Sequence, residues 1–162
     1  MPSERMRILV DTNVWLDLFD GSRVHGRASA EALRQLQSRD VDLLFATSSV
    51  KDVYYLLLNK LKYTVRKETG TLDSSQLSAA ESYVNACIKV MNTEATAVAV
   101  DMSDIWLAEK YSKQFSDFED CLIIAAARRA HADCIITNDE RFLRQRLFAT
   151  MRPIDALQLA RG

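Results

Sequence analysis

Residues 116–139 read SDFEDCLIIAAARRAHADCIITND. The segment DFEDCLIIAAARRA has the look of a buried, Ala-rich helix, and DCIIT behind it is a short apolar run of strand type. Helix followed by buried strand is the unit of an α/β domain. The same stretch sets a chemical question. Asp117, Glu119 and Asp120 stand directly before the apolar run, and Asp139 closes the stretch. Acids usually occupy solvated faces, and Asp is among the weaker helix formers. Either these acids cap the helix, or they gather to hold something positive.

Working outward, the unit repeats. RILV (7–10) is a buried strand ending at Asp11, and NVWLDLF (13–19) forms a short first helix. HGRASAEALRQLQSR (25–39) follows as a second helix, with Ala28, Ala32, Leu33 and Leu36 at helical spacing. DLLFAT (42–47) is a second strand. SVKDVYYLLLNKLKY (49–63) then places Val50, Val53, Tyr54, Leu57, Leu58 and Leu61 on one helical stripe. Asp73 and Gln76 have capping-box spacing and open a helix carrying Leu77, Ala80, Val84, Cys87, Ile88 and Met91. ATAVAV (95–100) is a third strand and SDIWLAEKYS (103–112) a fifth helix. DCIIT supplies a fourth strand and FATMR (148–152) a fifth, with Pro153 in the first turn of a last helix. Short apolar strands alternating with amphipathic helices predict an α/β domain with a parallel sheet.

Length and composition set the bounds. The chain has 162 residues, a size that suits one domain with its own core. Its net charge of -1 gives no global basic field, so any nucleic-acid contact has to come from local patches. Cys87, Cys121 and Cys134 are odd in number and embedded in apolar sequence, so they read as small buried hydrophobes. With only His25 and His131 beside them, no Cys/His spacing suits zinc. The expected setting is a reducing cytoplasm, with no signal peptide and no membrane span.

In open α/β sheets, ligands bind at the carboxyl ends of the strands. Asp11 leaves the first strand, and Asp139 lies just beyond Ile136 at the end of the fourth. Asp52 sits about one turn into the helix after the second strand, and Asp120 opens the helix before the fourth. Each has a structural alternative. Asp11 or Asn13 can cap the first helix. Ser116 with Glu119, and Thr137 with Glu140, match the S/T-x-x-E capping box, and Ser116 and Glu119 are taken as mainly structural. Asp17, Asp20, Asp40, Asp73 and Asp155 are left as surface or cap residues. Helical spacing puts Asp117 and Asp120 on one face with Ile124 and turns Glu119 elsewhere. Two carboxylates on a partly apolar face repel each other, and a hard divalent cation such as Mg²⁺ or Mn²⁺ relieves that repulsion.

ILVDTNVWLDLF, SSVKDVYYLL and DFEDCLIIAAARRAHADCIITNDERFL together resemble the PIN-domain family, especially its VapC-like bacterial members. In that family an Asp-Thr-Asn element follows the first strand and an acid lies in the helix after the second. A later Asp precedes an Ala-rich helix, and a Thr-x-Asp element follows the next strand. Asp11, Asp52, Asp120 and Asp139 fill those positions in order. Two departures stand out: Asp52 replaces a more usual Glu, one methylene longer, and the segment 62–76 is longer than in the smallest members.

The resemblance implies a three-layer α/β/α domain over 1–162 with a central, mainly parallel sheet of four to five strands. It also implies metal-dependent endoribonuclease chemistry with one or two Mg²⁺ or Mn²⁺ ions. Asp11, Asp120 and Asp139 are then the main metal-holding acids, with Asp117 a further ligand. Asp52 assists as an outer ligand or base, and Asn13 and Thr137 orient water or phosphate. The implied partners are an RNA substrate, a cognate antitoxin protein and a second copy of the chain in a homodimer. Basic candidates for RNA are Lys60, Lys62, Arg66 and Lys67, then Arg128, Arg129, Arg141 and Arg144, each with a solvated helix face as its alternative. Trp15 and Trp106 are expected in the core. The rival readings are a PIN nuclease without an antitoxin, a degenerate PIN domain that only binds RNA or protein, and another phosphoryl-transfer enzyme. Four glycines leave the last little room for a phosphate-cradling loop.

Overall fold

Five parallel strands form the central sheet in the order β3-β2-β1-β4-β5. The computed structural model describes residues 5–160. Strand β1 (Met6–Val10) is followed by α1 (Thr12–Phe19) and α2 (Gly26–Gln37), then β2 (Val41–Ala46). Helices α3 (Thr47–Thr69) and α4 (Ser74–Glu94) lead to β3 (Thr96–Val98), and α5 (Met102–Tyr111) and α6 (Phe118–Arg129) to β4 (Cys134–Ile136). A short α7 (Glu140–Arg144), β5 (Thr150–Met151) and α8 (Pro153–Leu159) complete the order.

The strands read as unbroken apolar runs because both faces of the sheet are covered. Their residues alternate between two cores, as the period of two requires. Ile8, Val10, Leu43, Phe45, Cys134 and Ile136 face a layer that holds Trp15, Leu33, Leu36, Val53, Leu57 and Met91. Leu9, Leu44, Ala46 and Ile135 face the opposite layer, built on Ile123, Ile124, Ala126, Ala127 and Phe142. The Ala-rich run of α6 lets that helix lie close on the sheet. This is the expected α/β/α architecture, with all strands parallel.

Several local expectations are corrected. Helix α3 does not stop near residue 63 but continues to Thr69, 23 residues or about 35 Å. It ends where Gly70 adopts the left-handed conformation, φ 77°. Its outer half pairs with α4, whose capping box of Asp73 and Gln76 forms as the spacing required. A one-turn helix, α7, appears where the sequence showed no periodicity. Trp15 is fully buried, stacked on Phe19 and edge-on to Phe45. Trp106, expected in the core, is instead 58% exposed on α5, with the Lys110 ammonium 3.5 Å from its ring centroid. Asp17, expected at the surface, is buried. The three cysteines are buried and free.

Candidate active site

The sheet changes direction at β1: chain order runs outward to β2 and β3 on one side, then returns to β4 and β5 on the other. Beside β1 and β4 the loops at the carboxyl edge part, which is where open α/β sheets hold ligands. Asp11 and Asp139 emerge from these two strands. The Asp11 backbone N–H donates to the Ile136 carbonyl at 3.0 Å, which locks the two strand ends together.

The Asp11 side chain caps α1, with Oδ1 accepting from the Thr12 amide at 2.7 Å. Its Oδ2 accepts from Asn13 Nδ2 at 2.6 Å and from the Thr137 hydroxyl at 2.8 Å. Asn13 Nδ2 also donates to Thr137 Oγ1 at 3.0 Å, while Asn13 Oδ1 accepts from the Asn138 amide at 3.0 Å. Asn138 extends the network, with Nδ2 donating to Asp17 Oδ2 and Ser29 Oγ, both at 2.8 Å. Arg23 Nε donates to the other Asp17 oxygen at 2.7 Å. With Ser29 Oγ donating to Asp17 Oδ2 at 3.0 Å as well, buried Asp17 has three donors, which is how a carboxylate that is 2% exposed is tolerated.

The capping residues differ from the expected ones. Asp117, not Ser116, caps α6: its Oδ1 accepts from the amides of Glu119 and Asp120 at 3.1 and 3.2 Å. Its Oδ2 lies 3.3 Å from Arg141. Asp139, not Thr137, caps α7, accepting from Arg141 and Phe142 amides at 2.7 and 3.2 Å. A short Asp side chain at the cap reaches the second and third amides directly, so neither Glu is needed to complete a box. Glu119 is therefore released from the helix start and turned toward Asp52, a role that sequence reasoning missed. Asp117 stays at the helix end, where its charge acts on Asp120.

Asp11, Asn13, Asp52, Glu119, Asp120 and Asp139 line one cleft of about 500 Å³, together with Lys51, Arg23 and Tyr55. Three of the carboxyls there, Asp11, Glu119 and Asp120, ionise against resistance. Burial pushes Asp11 up to about 6, opposed by the bonds from Thr137 and Thr12 and reinforced by the Asp139 charge. Asp120 rises to about 7, first through burial and then through the charges of Asp11, Asp117, Asp139 and Glu119. Glu119 rises to about 7, chiefly because its carboxyl shares a hydrogen bond with Asp52. Lys51 Nζ, 3.8 Å from Asp52 Oδ1, is the nearby cation that opposes this. A site that gathers this much negative charge at partial burial suits a hard cation, and its donors are all oxygen. Among the described residues no group of three or more His, Cys, Asp or Glu stands ready-made for a metal ion. The acids are coupled through charge rather than fixed in a finished coordination shell.

Most of the arginines proposed for RNA are committed elsewhere. Arg129 holds buried Asp104 through two bonds of 2.9 Å and also donates to the Ala99 carbonyl. Arg128 donates to the Leu147 carbonyl at 2.7 Å, and Arg141 pairs with Asp117. Lys60, Arg66 and Lys67 are exposed along α3.

Fold and site together define an α/β/α domain with a carboxylate cleft at its topological switch point. A family model of the PIN domain matches residues 7–141, and the chain belongs to that family. It is 28% identical over 140 residues to Ribonuclease VapC1 of Aquifex aeolicus, covering 84% of this chain and 83% of that one. Among solved structures it is similar to Mycobacterium tuberculosis VapC20, described as a Sarcin-Ricin loop cleaving toxin. That likeness has TM-score 0.59 and 13% identity, over 83% of this chain and 92% of that one. VapBC2 from Rickettsia felis, bound to a DNA fragment from its promoter, matches at TM-score 0.59 and 13% identity, over 91% and 98% of the two chains. At that identity the solved structures speak to the fold alone, which they share. No helix among the described residues is long and apolar enough to cross a membrane.

Proposed function

We propose that the protein is a divalent-metal-dependent endoribonuclease acting as the toxin of a VapC-type toxin–antitoxin pair. The observation that carries this reading is the cleft at the β1/β4 switch point, where the Asp139 charge opposes ionisation of Asp11, and the charges of Asp11 and Asp139 oppose that of Asp120. The family membership and the likeness to Ribonuclease VapC1 support the same chemistry. Asp11, Asp120 and Asp139 would hold Mg²⁺ or Mn²⁺, with Asp117 contributing charge from the helix cap. A bound divalent ion supplies positive charge toward the phosphate and makes water more acidic.

The remaining roles belong to the chain itself. Asn13 and Thr137, both bonded to Asp11 Oδ2, hold that carboxylate in one orientation. Asp52 orients water or accepts its proton, beside Glu119, whose ionisation that neighbour opposes. A cognate antitoxin would cover the cleft, and a homodimer is the expected assembly.

Purified protein incubated with single-stranded and structured RNA, in Mn²⁺, Mg²⁺ or EDTA, tests the reading. Cleavage should need metal and disappear in Asp11→Asn and Asp120→Asn. Cleavage in EDTA, or in both variants, overturns the mechanism. Growth arrest on expression, relieved by a small neighbouring reading frame, tests the toxin role. The binding-only reading draws on the lack, among the described residues, of a ready-made metal group. No cleavage of any RNA under any metal would favour it.

A further inference from the structure

A second cavity of about 500 Å³ adjoins the acid cleft and shares Leu16, Arg23 and Leu56 with it. We propose that this cavity is a subsite for the single-stranded RNA that flanks the scissile phosphate, an inference that rests on the protein acting on RNA. Arg23 and Lys60 take backbone phosphates there, and a base lies on the apolar floor beside Tyr55.

Three observations converge. First, Arg23 stands at the wall between the two cavities with its orientation fixed, because Nε is held by buried Asp17 at 2.7 Å. Its terminal nitrogens make no hydrogen bond among the described residues, unlike those of Arg128, Arg129 and Arg141. A guanidinium anchored on one edge and open on the other presents a preorganised fork to phosphate oxygens.

Second, the charge of this cavity differs from that of the cleft. Lys60 and His25 line it together with Arg23, so Asp17 and Asp20 face cations here, whereas the cleft gathers five carboxyls. Asp17 is saturated by Arg23, Ser29 and Asn138. Asp20 Oδ1 accepts from both the amide and the hydroxyl of Ser22, at 3.0 and 2.6 Å. In a chain of net charge -1, an RNA strand reaching the acid cleft needs local cations such as Arg23 and Lys60 beside it.

Third, the floor is exposed where a folded protein would rather bury it. Leu56, which lines both cavities, is 54% exposed, and Tyr55, the residue before it on the acid-cleft side, is 57% exposed. An aromatic face next to cations is the arrangement by which single strands are held without sequence readout.

The test is fluorescence anisotropy with a labelled single-stranded oligoribonucleotide of about eight nucleotides, using the full chain silenced by Asp11→Asn. Lys60→Glu and Arg23→Ala should each weaken binding about tenfold and lower the slope of log Kd against log salt by about one. Tyr55→Ala should weaken it at high salt as well. Arg23→Ala leaves Asp17 unpaired and can unfold the chain, so Lys60→Glu and Tyr55→Ala, at exposed positions, decide the matter. Unchanged affinity in both overturns the subsite, even if wild-type protein cuts RNA. If wild-type protein cuts no RNA while both variants lose binding, the subsite stands and the nuclease reading falls.

Discussion

The Thr137 hydroxyl lies 2.8 Å from Asp11 Oδ2, joining the residue after β4 to the residue after β1 across the centre of the candidate site. Thr137 is fully buried, and its bond is the foremost influence holding the Asp11 pKa down against burial. Thr137→Val keeps the shape and removes the donor. It should cost about 1–3 kcal/mol in urea denaturation and raise Asp11 further above its value of about 6. Carboxyl titration of metal-free protein by NMR checks the second effect, and an unmoved Asp11 would sink the assigned role.

The raised carboxyls make the metal-free protein pH-sensitive in a definite direction. Asp11 and Asp120 bind protons more tightly folded, at about 6 and about 7, than unfolded, at 3.8. Below 3.8 both states are protonated and no penalty applies. As pH rises from there through 6 and 7, the folded state must ionise against burial and repulsion, so stability falls. Metal-free protein should therefore melt higher near pH 5 than near pH 8, approximate values placed either side of those pKa values. Asp120→Asn should flatten the difference and raise the Tm at the higher pH by roughly 3–6 °C. Added Mn²⁺ should stabilise wild type and not the variant. A lower Tm in metal-free Asp120→Asn would instead assign Asp120 a purely structural function.

The switch-point acids were legible because strand periodicity fixes where each strand ends, and Asp11 and Asp139 sit at those ends. Asp73 and Gln76 were legible because a capping box is local. The α6 cap was not, because SDFED offers two overlapping registers and only the folded chain shows Asp117 rather than Ser116 on the amides. Glu119 was misassigned for the same reason, since its partner Asp52 comes from a distant helix. Asp17 read as a surface or cap acid because its partner Asn138 is brought to it only by the sheet, from the loop after β4. The outer turns of α3 carry polar KYTVRKET with no core stripe, so Gly70 was the one signal of where the helix ends.

Arg129 and Asp104 join α6 to α5, and Asp104 is 1% exposed. Removing one partner leaves a buried charge, so Arg129→Ala should cost about 3 kcal/mol or more in urea denaturation. Replacing both together, as Asp104→Leu with Arg129→Met, should cost markedly less, because the cost lies in the orphaned carboxylate rather than in the lost pair. If the double variant is as unstable as the single one, the ion pair itself holds the two helices together.

Two glycines separate strain from crowding. Gly70 has φ +77° with open space where a Cβ would stand, so Gly70→Ala should cost only the left-handed penalty of about 1 kcal/mol. A Cβ on Gly26 would stand 2.9 Å from the Asp20 carbonyl oxygen, 3.2 Å from Gly21 Cα and 3.3 Å from the Asp17 carbonyl oxygen. Those are backbone atoms and cannot rotate away, so α2 or the loop before it must move. Gly26→Ala should cost about 1–3 kcal/mol, more than Gly70→Ala. It should also disturb Arg23, which lies in the displaced loop and is positioned by Asp17. Urea denaturation ranks the two variants. Equal costs would mean that the loop yields freely, and its hold on Arg23 would then be loose.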